Sequence, residues 1–448
     1  MKKILIANRG EIASRIIKTC KEMGIQTIAV YSEADKNLPY VREADKAYHI
    51  GEPPVAKSYL NQERLLEIAQ EEAVDAVHPG YGFLSENSEF VKKVEALGIT
   101  FIGPSWDVVE KMGDKVEARK TMDQAGVPIV PGTIDPIADV DEAATIASNI
   151  GYPVMLKASA GGGGIGMVRC DDEATLRKQF ASSQQRAKMY FGNDTMFIEK
   201  YISPARHIEI QVFGDRHGNV IHLFERDCSV QRRHQKVIEE SPSPYLSAEL
   251  RQKMGEAAVT AAKSVLYSNA GTVEFIVSET GEFYFLEMNT RLQVEHPVTE
   301  MTTGLDLVAW QIEVARGKAL PLMQEEVMQK GHSMEFRLYA EDPVKFLPSP
   351  GKMEKLVFPT GEGIRVDSGY EEGNTVSPFY DPMIAKIIVS DSNRERCLQR
   401  ATAFFASFEA EGIKTNAPLF ATVLQDQDFI EGNYHTGFLS KGSTVTKQ

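Results

Sequence analysis

The segment Glu287-Met-Asn-Thr-Arg-Leu-Gln-Val-Glu-His-Pro297 places Glu287, Asn289, Arg291, Gln293 and Glu295 at every second position. In an extended chain alternate side chains point the same way. If extended, the stretch lines one face with carboxylates, amides and a guanidinium, and leaves Met288, Leu292 and Val294 for the other. A wholly polar face near a protein interior is costly unless metals, phosphates or substrates satisfy it. The competing reading is a solvated edge strand.

Other segments carry chemistry that fits beside this row. Residues 271–277 and 282–288 read as a hairpin around Glu279-Thr-Gly, which puts Glu274 and Glu287 on its two strands. With Asn289 they make a set of hard oxygen donors suited to magnesium, or else a pair of surface acids. Gly161–Gly164 and Gly166 lie between two strand signals. Such backbone can approach phosphate oxygens and donate N–H groups to them. No Lys-Ser/Thr pair follows, so this is not a Walker loop; Lys157 precedes it instead. A flexible surface hairpin shares this composition.

Residues 225–236 are polar and end basic, as an anion cradle or a solvated loop would. His78-Pro-Gly-Tyr-Gly-Phe-Leu-Ser-Glu-Asn87 follows a strand of a parallel sheet, where ligands bind, but alone it reads as a turn before it reads as a site. A lone histidine such as His207 or His234 is more often structural than catalytic.

Those residues need elements to hold them. The first hundred residues alternate strand signals (3–7, 26–31, 74–78, 100–102) with helical ones, which predicts a parallel sheet with helices on its faces. The first strand–helix turn holds only Gly10, so the three-glycine dinucleotide fingerprint is absent. Residues 111–126 read as one helix, followed by a Pro/Gly linker. Residues 141–201 read as a small α+β unit. Strands dominate from 207 on, with a helix over 248–267 and a closing helix over 394–411.

The chain has 448 residues, 42% hydrophobic and 25% charged, as expected of two to four folded domains. A net charge of −14 without a basic block argues against nucleic acid. No apolar run reaches membrane-spanning length. Four scattered cysteines suit a reducing cytoplasm.

Taken together the segments resemble the biotin carboxylase family of the ATP-grasp superfamily. The resemblance runs from Ile6-Ala-Asn-Arg-Gly-Glu-Ile-Ala13 to Gly412-Ile-Lys-Thr-Asn416. It includes 78–87, Met112-Gly-Asp-Lys115, Glu199-Lys-Tyr201, Arg206-His-Ile-Glu-Ile-Gln211, 225–236, 287–299 and Phe346-Leu-Pro-Ser-Pro-Gly351. It implies a multi-domain α/β and α+β protein: a Rossmann-like N-terminal domain (1–113), a linker helix region (114–130), an ATP-grasp lid (131–202), the rest of the ATP-grasp (203–330), and a C-terminal domain of mainly antiparallel strands (331–448).

The resemblance also implies roles. Lys115, Lys157, Gly163 and Gly164 would contact ATP phosphates. Glu199, Lys200, Tyr201 and Ile202 would line the adenine pocket, with His207 and His234 holding the nucleotide. Glu274, Glu287 and Asn289 would bind two Mg2+ or Mn2+ ions. Lys236, Arg291, Gln293, Val294 and Glu295 would hold bicarbonate, Glu295 as base. Arg337 would face the biotin ureido oxygen, with Tyr81 and Gly82 flanking biotin. Ile165 stands where the family often carries Arg or Lys, so ATP affinity and lid closure are expected to differ.

The Met-Lys-Met biotinylation motif does not occur. The resemblance therefore implies biotin supplied by a biotin carboxyl carrier protein, carboxyltransferase partners and a homodimer, as in multi-subunit acetyl-CoA carboxylases of fatty acid biosynthesis. Other ATP-grasp ligases, or an idle scaffold subunit, are the rival expectations.

Overall fold

Lys3–Ile6 is a buried apolar run and forms the centre of a parallel sheet. Its order is Lys46–Gly51, Gln26–Ser32, Lys3–Ile6, Ala76–His78, Thr100–Phe101. The helix Gly10–Glu22 covers one face through Ile12, Ile16, Ile17 and Cys20. The strand Lys46–Gly51 was not expected from sequence. It is the sheet's edge, and most of its side chains are only partly covered, so it shows no apolar alternation. The computed structural model describes residues 1–137, 139–158, 166–191 and 193–440. Gly163, Gly164 and Ile165 lie outside the described residues. No helix among the described residues is long and apolar enough to cross a membrane.

The helix expected over 111–126 is two helices, Trp106–Gly113 and Lys115–Gln124. Asp114 breaks it. Its carboxylate accepts from the backbone N–H groups of Val116 and Glu117 at 2.8 and 3.0 Å, capping the second helix. Lys115 therefore starts a helix rather than sitting within one.

Residues 139–200 hold the antiparallel strands Met167–Cys170, Val154–Ala158 and Met196–Lys200, with Val140–Ile150 and Glu173–Phe191 packed on them. Ala143, Ala147, Leu156, Leu176 and Ile198 give this unit its own core.

The site is carried by an eight-stranded sheet. Its order is Phe283–Asn289, Asn269–Ser278, Ala205–Gly214, Val220–Arg232, Gln235–Ser241, His332–Tyr339, Met383–Asp391, Ile364–Ser368. The sheet takes strands from both sides of residue 331. Residues 225–236 are strand in this sheet rather than loop. Their hairpin turns at Arg233 and His234, with φ of 50° and 67°, the left-handed pair that a two-residue hairpin requires. The ladder slips between His222 and Glu225 on one side and between Asp227 and Val230 on the other. Such bulges re-aim side chains, and here they flank Arg226. The closing helix stops at Ser407, and Glu409–Glu411 pairs as a strand with Lys355–Val357.

Candidate active site

A row of charge crosses this sheet. Glu287 lies opposite Glu274, Glu274 opposite Glu209, and Glu209 opposite Arg226. Directly opposed residues share a face, so neighbouring strands deliver these side chains to one place. Arg226 is fully buried. Its guanidinium meets Glu209 Oε1 at 2.5 Å, Gln211 Oε1 at 2.6 Å, Thr299 Oγ1 at 3.0 Å, Thr272 Oγ1 at 3.1 Å and Gln293 Oε1 at 2.6 Å.

The Lys236 ammonium sits over the row. It reaches Glu209 Oε2 at 2.6 Å, Glu274 Oε1 at 2.9 Å and Glu295 Oε1 at 2.7 Å. Burial opposes its charge, but the facing carboxylates hold its pKa well above the usual lysine value. Glu295 also meets Arg337 Nη2 at 3.0 Å, and Arg337 Nε donates to Glu239 at 2.6 Å. Burial would raise the Glu295 carboxyl; Lys236, Arg337 and Arg226 instead hold it well below the carboxylate range. Glu295 is therefore ionised at neutral pH.

The expected single polar face from Glu287 to Glu295 is not one strand. The strand ends at Asn289, and Glu295 already leads into the helix His296–Thr303. Two contacts fold the segment back: Glu86 accepts from the Thr290 N–H at 3.0 Å, and Gln293 Nε2 donates to Glu274 Oε1 at 2.7 Å. Pro297 in the first helical turn suits the new direction. The residues converge after all, but through a fold-back rather than a shared pleat.

At the acid end, His207 Nε2 lies 2.7 Å from Glu274 Oε2, and Gln231 Nε2 is 2.9 Å from His207 Nδ1. Burial would raise Glu274, yet Lys236 and His207 hold it well below its normal value. The charge of Glu274, then burial, raises Glu287, while Lys115 opposes the rise. Two facing carboxylates that repel one another fit a hard divalent cation. Asn289 fits less directly. Its amide N–H donates to Glu274 at 2.9 Å, and its oxygen accepts from Arg291 Nη2 at 2.8 Å.

On the side of the small unit, Lys157 and Glu199 form an ion pair, and Arg119 Nη1 meets Glu199 at 2.8 Å. Against the rise from burial, Lys157, Arg119 and Lys115 hold Glu199 down. Lys115 thus acts on both Glu199 and Glu287. Lys200 donates to the Gly151 carbonyl at 2.7 Å, a contact within the small unit. Tyr201 stacks under Arg169 at 4.7 Å. Ile202 falls in the segment joining the strands Met196–Lys200 and Ala205–Gly214, and His234 is exposed at its hairpin tip.

A cavity of 460 Å³ opens at the other end, lined by Tyr81, Gly82, Arg291, Val294 and Arg337 among others. Arg291 is anchored there by Glu86 at 2.8 Å. A second cavity of 620 Å³, beside Glu95, Arg216 and Leu266, contains none of the expected residues.

Sequence reasoning missed Glu209, Arg226, Glu86 and Glu239. A signal existed for the first: His207, Glu209 and Gln211 alternate on one strand just as the opening row does.

Paired acids on an antiparallel sheet, with a small strand–helix unit and a parallel-sheet domain preceding them in the chain, define an ATP-grasp enzyme. Residues 1–109 match "Biotin carboxylase, N-terminal domain", 114–323 match "Carbamoyl-phosphate synthase L chain, ATP binding domain", and 335–441 match "Biotin carboxylase C-terminal domain". Biotin carboxylase 2 of Bacillus subtilis is 54% identical over 439 residues, covering 98% of this chain and 99% of its own. A Campylobacter jejuni biotin carboxylase crystallised as a β-γ-ATP complex superposes with a TM-score of 0.95 at 46% identity, over 98% of this chain and 99% of that one. The Hydrogenobacter thermophilus 2-oxoglutarate carboxylase biotin carboxylase domain dimer, with MgADP, ADP and bicarbonate, gives 0.93 at 49%, over 98% and 97%. The chain belongs to the biotin carboxylase family.

Proposed function

We propose that this protein carboxylates biotin on a separate carrier protein, using ATP and bicarbonate and releasing ADP and phosphate. The observation that carries this reading is the position of Lys236, bonded at once to Glu274 at the acid end and to Glu295 beside the 460 Å³ cavity.

Bicarbonate is a poor electrophile, so it must be activated. In this reading Lys236, Arg291, Gln293 and the Val294 backbone hold the anion, and Glu295 accepts its proton. A bicarbonate oxygen then attacks the γ-phosphorus of ATP, and ADP leaves with the bridging oxygen. Lys115 and Lys157 offset charge on the phosphates. Divalent ions at Glu274 and Glu287, with Asn289, would neutralise further phosphate charge. The product, carboxyphosphate, separates into carbon dioxide and phosphate within the closed site. That phosphate takes the ureido proton, and Arg337 stabilises the negative ureido oxygen while its nitrogen attacks carbon dioxide. The unit over 131–202, with Gly163 and Gly164, acts as a lid that excludes water.

Tyr81 and Gly82 flank the biotin, and Glu199 to Ile202, His207 and His234 hold the nucleotide. The protein works as a cytoplasmic homodimer with a carrier and a carboxyltransferase. The transferase selects the final acceptor, whether acetyl-CoA, propionyl-CoA, another acyl-CoA, urea or pyruvate. The test is ATP cleavage assayed with bicarbonate and free biotin each omitted in turn. Cleavage requiring both supports the reading; cleavage indifferent to both overturns it.

A further inference from the structure

Lys386 lies on the strand Met383–Asp391 and is fully buried. It stands opposite Arg337 in the sheet, so the two side chains share a face. Its ammonium donates to the Val294 carbonyl at 3.0 Å and pairs with Glu11 Oε2 at 3.0 Å. The other oxygen of Glu11 accepts the Tyr81 hydroxyl. Lys386 therefore ties together the C-terminal strand, the first helix, the Tyr81 loop and the peptide before Glu295. Glu11, Tyr81 and Val294 all line the cavity.

Packing alone does not explain a charge in this position. A buried ion pair is weak evidence for stability, because an apolar residue of equal length often serves as well. Burial pushes the Glu11 carboxyl up to about 7 despite Lys386, so the pair is not strongly stabilising. The neighbouring acid, Asp367, is already engaged by Arg365 at 2.8 and 2.6 Å.

Glu295 shows what the charge is for. It is the N-cap of the helix His296–Thr303, yet its side chain makes no cap hydrogen bond. Its carboxylate is directed to Lys236 and Arg337 instead. The start of the helix needs another anchor, and the bond from Lys386 to the Val294 carbonyl fixes the plane of the peptide that carries Glu295.

We propose that Lys386 is a positioning residue for biotin carboxylation, holding the Val294–Glu295 peptide and, through Glu11, the Tyr81 wall of the cavity. The proposal rests on the function given above. It assigns Lys386 no contact with substrate.

The experiment compares wild type, Lys386→Met and the double variant Lys386→Met/Glu11→Gln in steady-state ATP cleavage, varying ATP, bicarbonate and biotin separately. The double variant leaves no charge orphaned at this pair, so it keeps the test valid if the single variant fails to fold. Expected in the double variant is a rise of about tenfold in KM for bicarbonate and for biotin, inside the roughly hundredfold that a misplacement of about 1 Å can cost. KM for ATP should stay within about twofold, a split that general loss of folding would not give. Wild-type constants in the double variant would overturn the proposal, showing that Lys386 only neutralises Glu11. So would a parallel rise in all three constants. A wild type with no bicarbonate-dependent cleavage would instead remove the functional reading beneath it.

Discussion

The Lys236 ammonium lies 2.7 Å from Oε1 of Glu295 and, through its other contacts, 2.9 Å from Glu274. One side chain thus joins Glu274, which faces Glu287, to Glu295, the proposed base. Its removal frees Glu209, Glu274 and Glu295 to repel one another. Lys236→Met should lower bicarbonate-dependent ATP cleavage about a hundredfold or more, the scale of one lost electrostatic stabiliser. A coupled ADP assay checks this; cleavage within a few-fold of wild type would refute it.

Arg226 has no exposed surface and satisfies Glu209, Gln211, Thr272, Gln293 and Thr299 together. Arg226→Met leaves Glu209 with Lys236 alone and releases Gln293. Breaking a buried pair from one side costs about 3–5 kcal/mol. Urea unfolding should show that loss, and the folded fraction should bind bicarbonate more weakly. An unchanged midpoint would contradict the account.

Glu240 gives a pH prediction. Burial would raise its carboxyl, but the hydrogen bond from His332 and the charge of Arg394 hold it at about 2, against a normal 4.5. A depressed acid contributes stability that is present above its unfolded pKa and lost as pH falls through the folded one. That is about 3 kcal/mol, lost between pH 5 and about 2. Guanidinium unfolding of wild type and Glu240→Gln across that window should show the slope in wild type and a shallower one in the variant. Identical slopes would show that Glu240 is not the group.

Ile165 stands in the glycine-rich segment where the family resemblance leads one to expect Arg or Lys. Ile165→Arg adds a cation to that segment and should lower the apparent KM for ATP. An unchanged or higher KM would count against a role for this position in nucleotide affinity.

The parallel sheet, the hairpin bearing Glu274 and Glu287, and the small unit over 139–200 were legible in sequence, because each rests on local apolar periodicity and turn residues. The strand Lys46–Gly51 was not, since an edge strand with half-covered side chains carries no such period. The split at Asp114 was missed because the apolar spacing continues across it; the capping carboxylate is the signal. The larger gap concerns direction. The sequence spacing puts charge along one strand from Glu287 to Glu295, whereas the row Glu287, Glu274, Glu209, Arg226 runs across neighbouring strands. Strand register sets such a row, and residues 209 and 226 become neighbours only in the folded sheet.

On the proposed function, the site spends ATP to move bicarbonate carbon onto biotin. The most direct test is incubation of the protein with ATP, magnesium, biotin and carbon-labelled bicarbonate, measuring ADP and labelled biotin together. The account predicts labelled N-carboxybiotin, formed only when ATP is cleaved and lost in Glu295→Gln. ATP cleavage that leaves biotin unlabelled, or labelling that persists in Glu295→Gln, would contradict it.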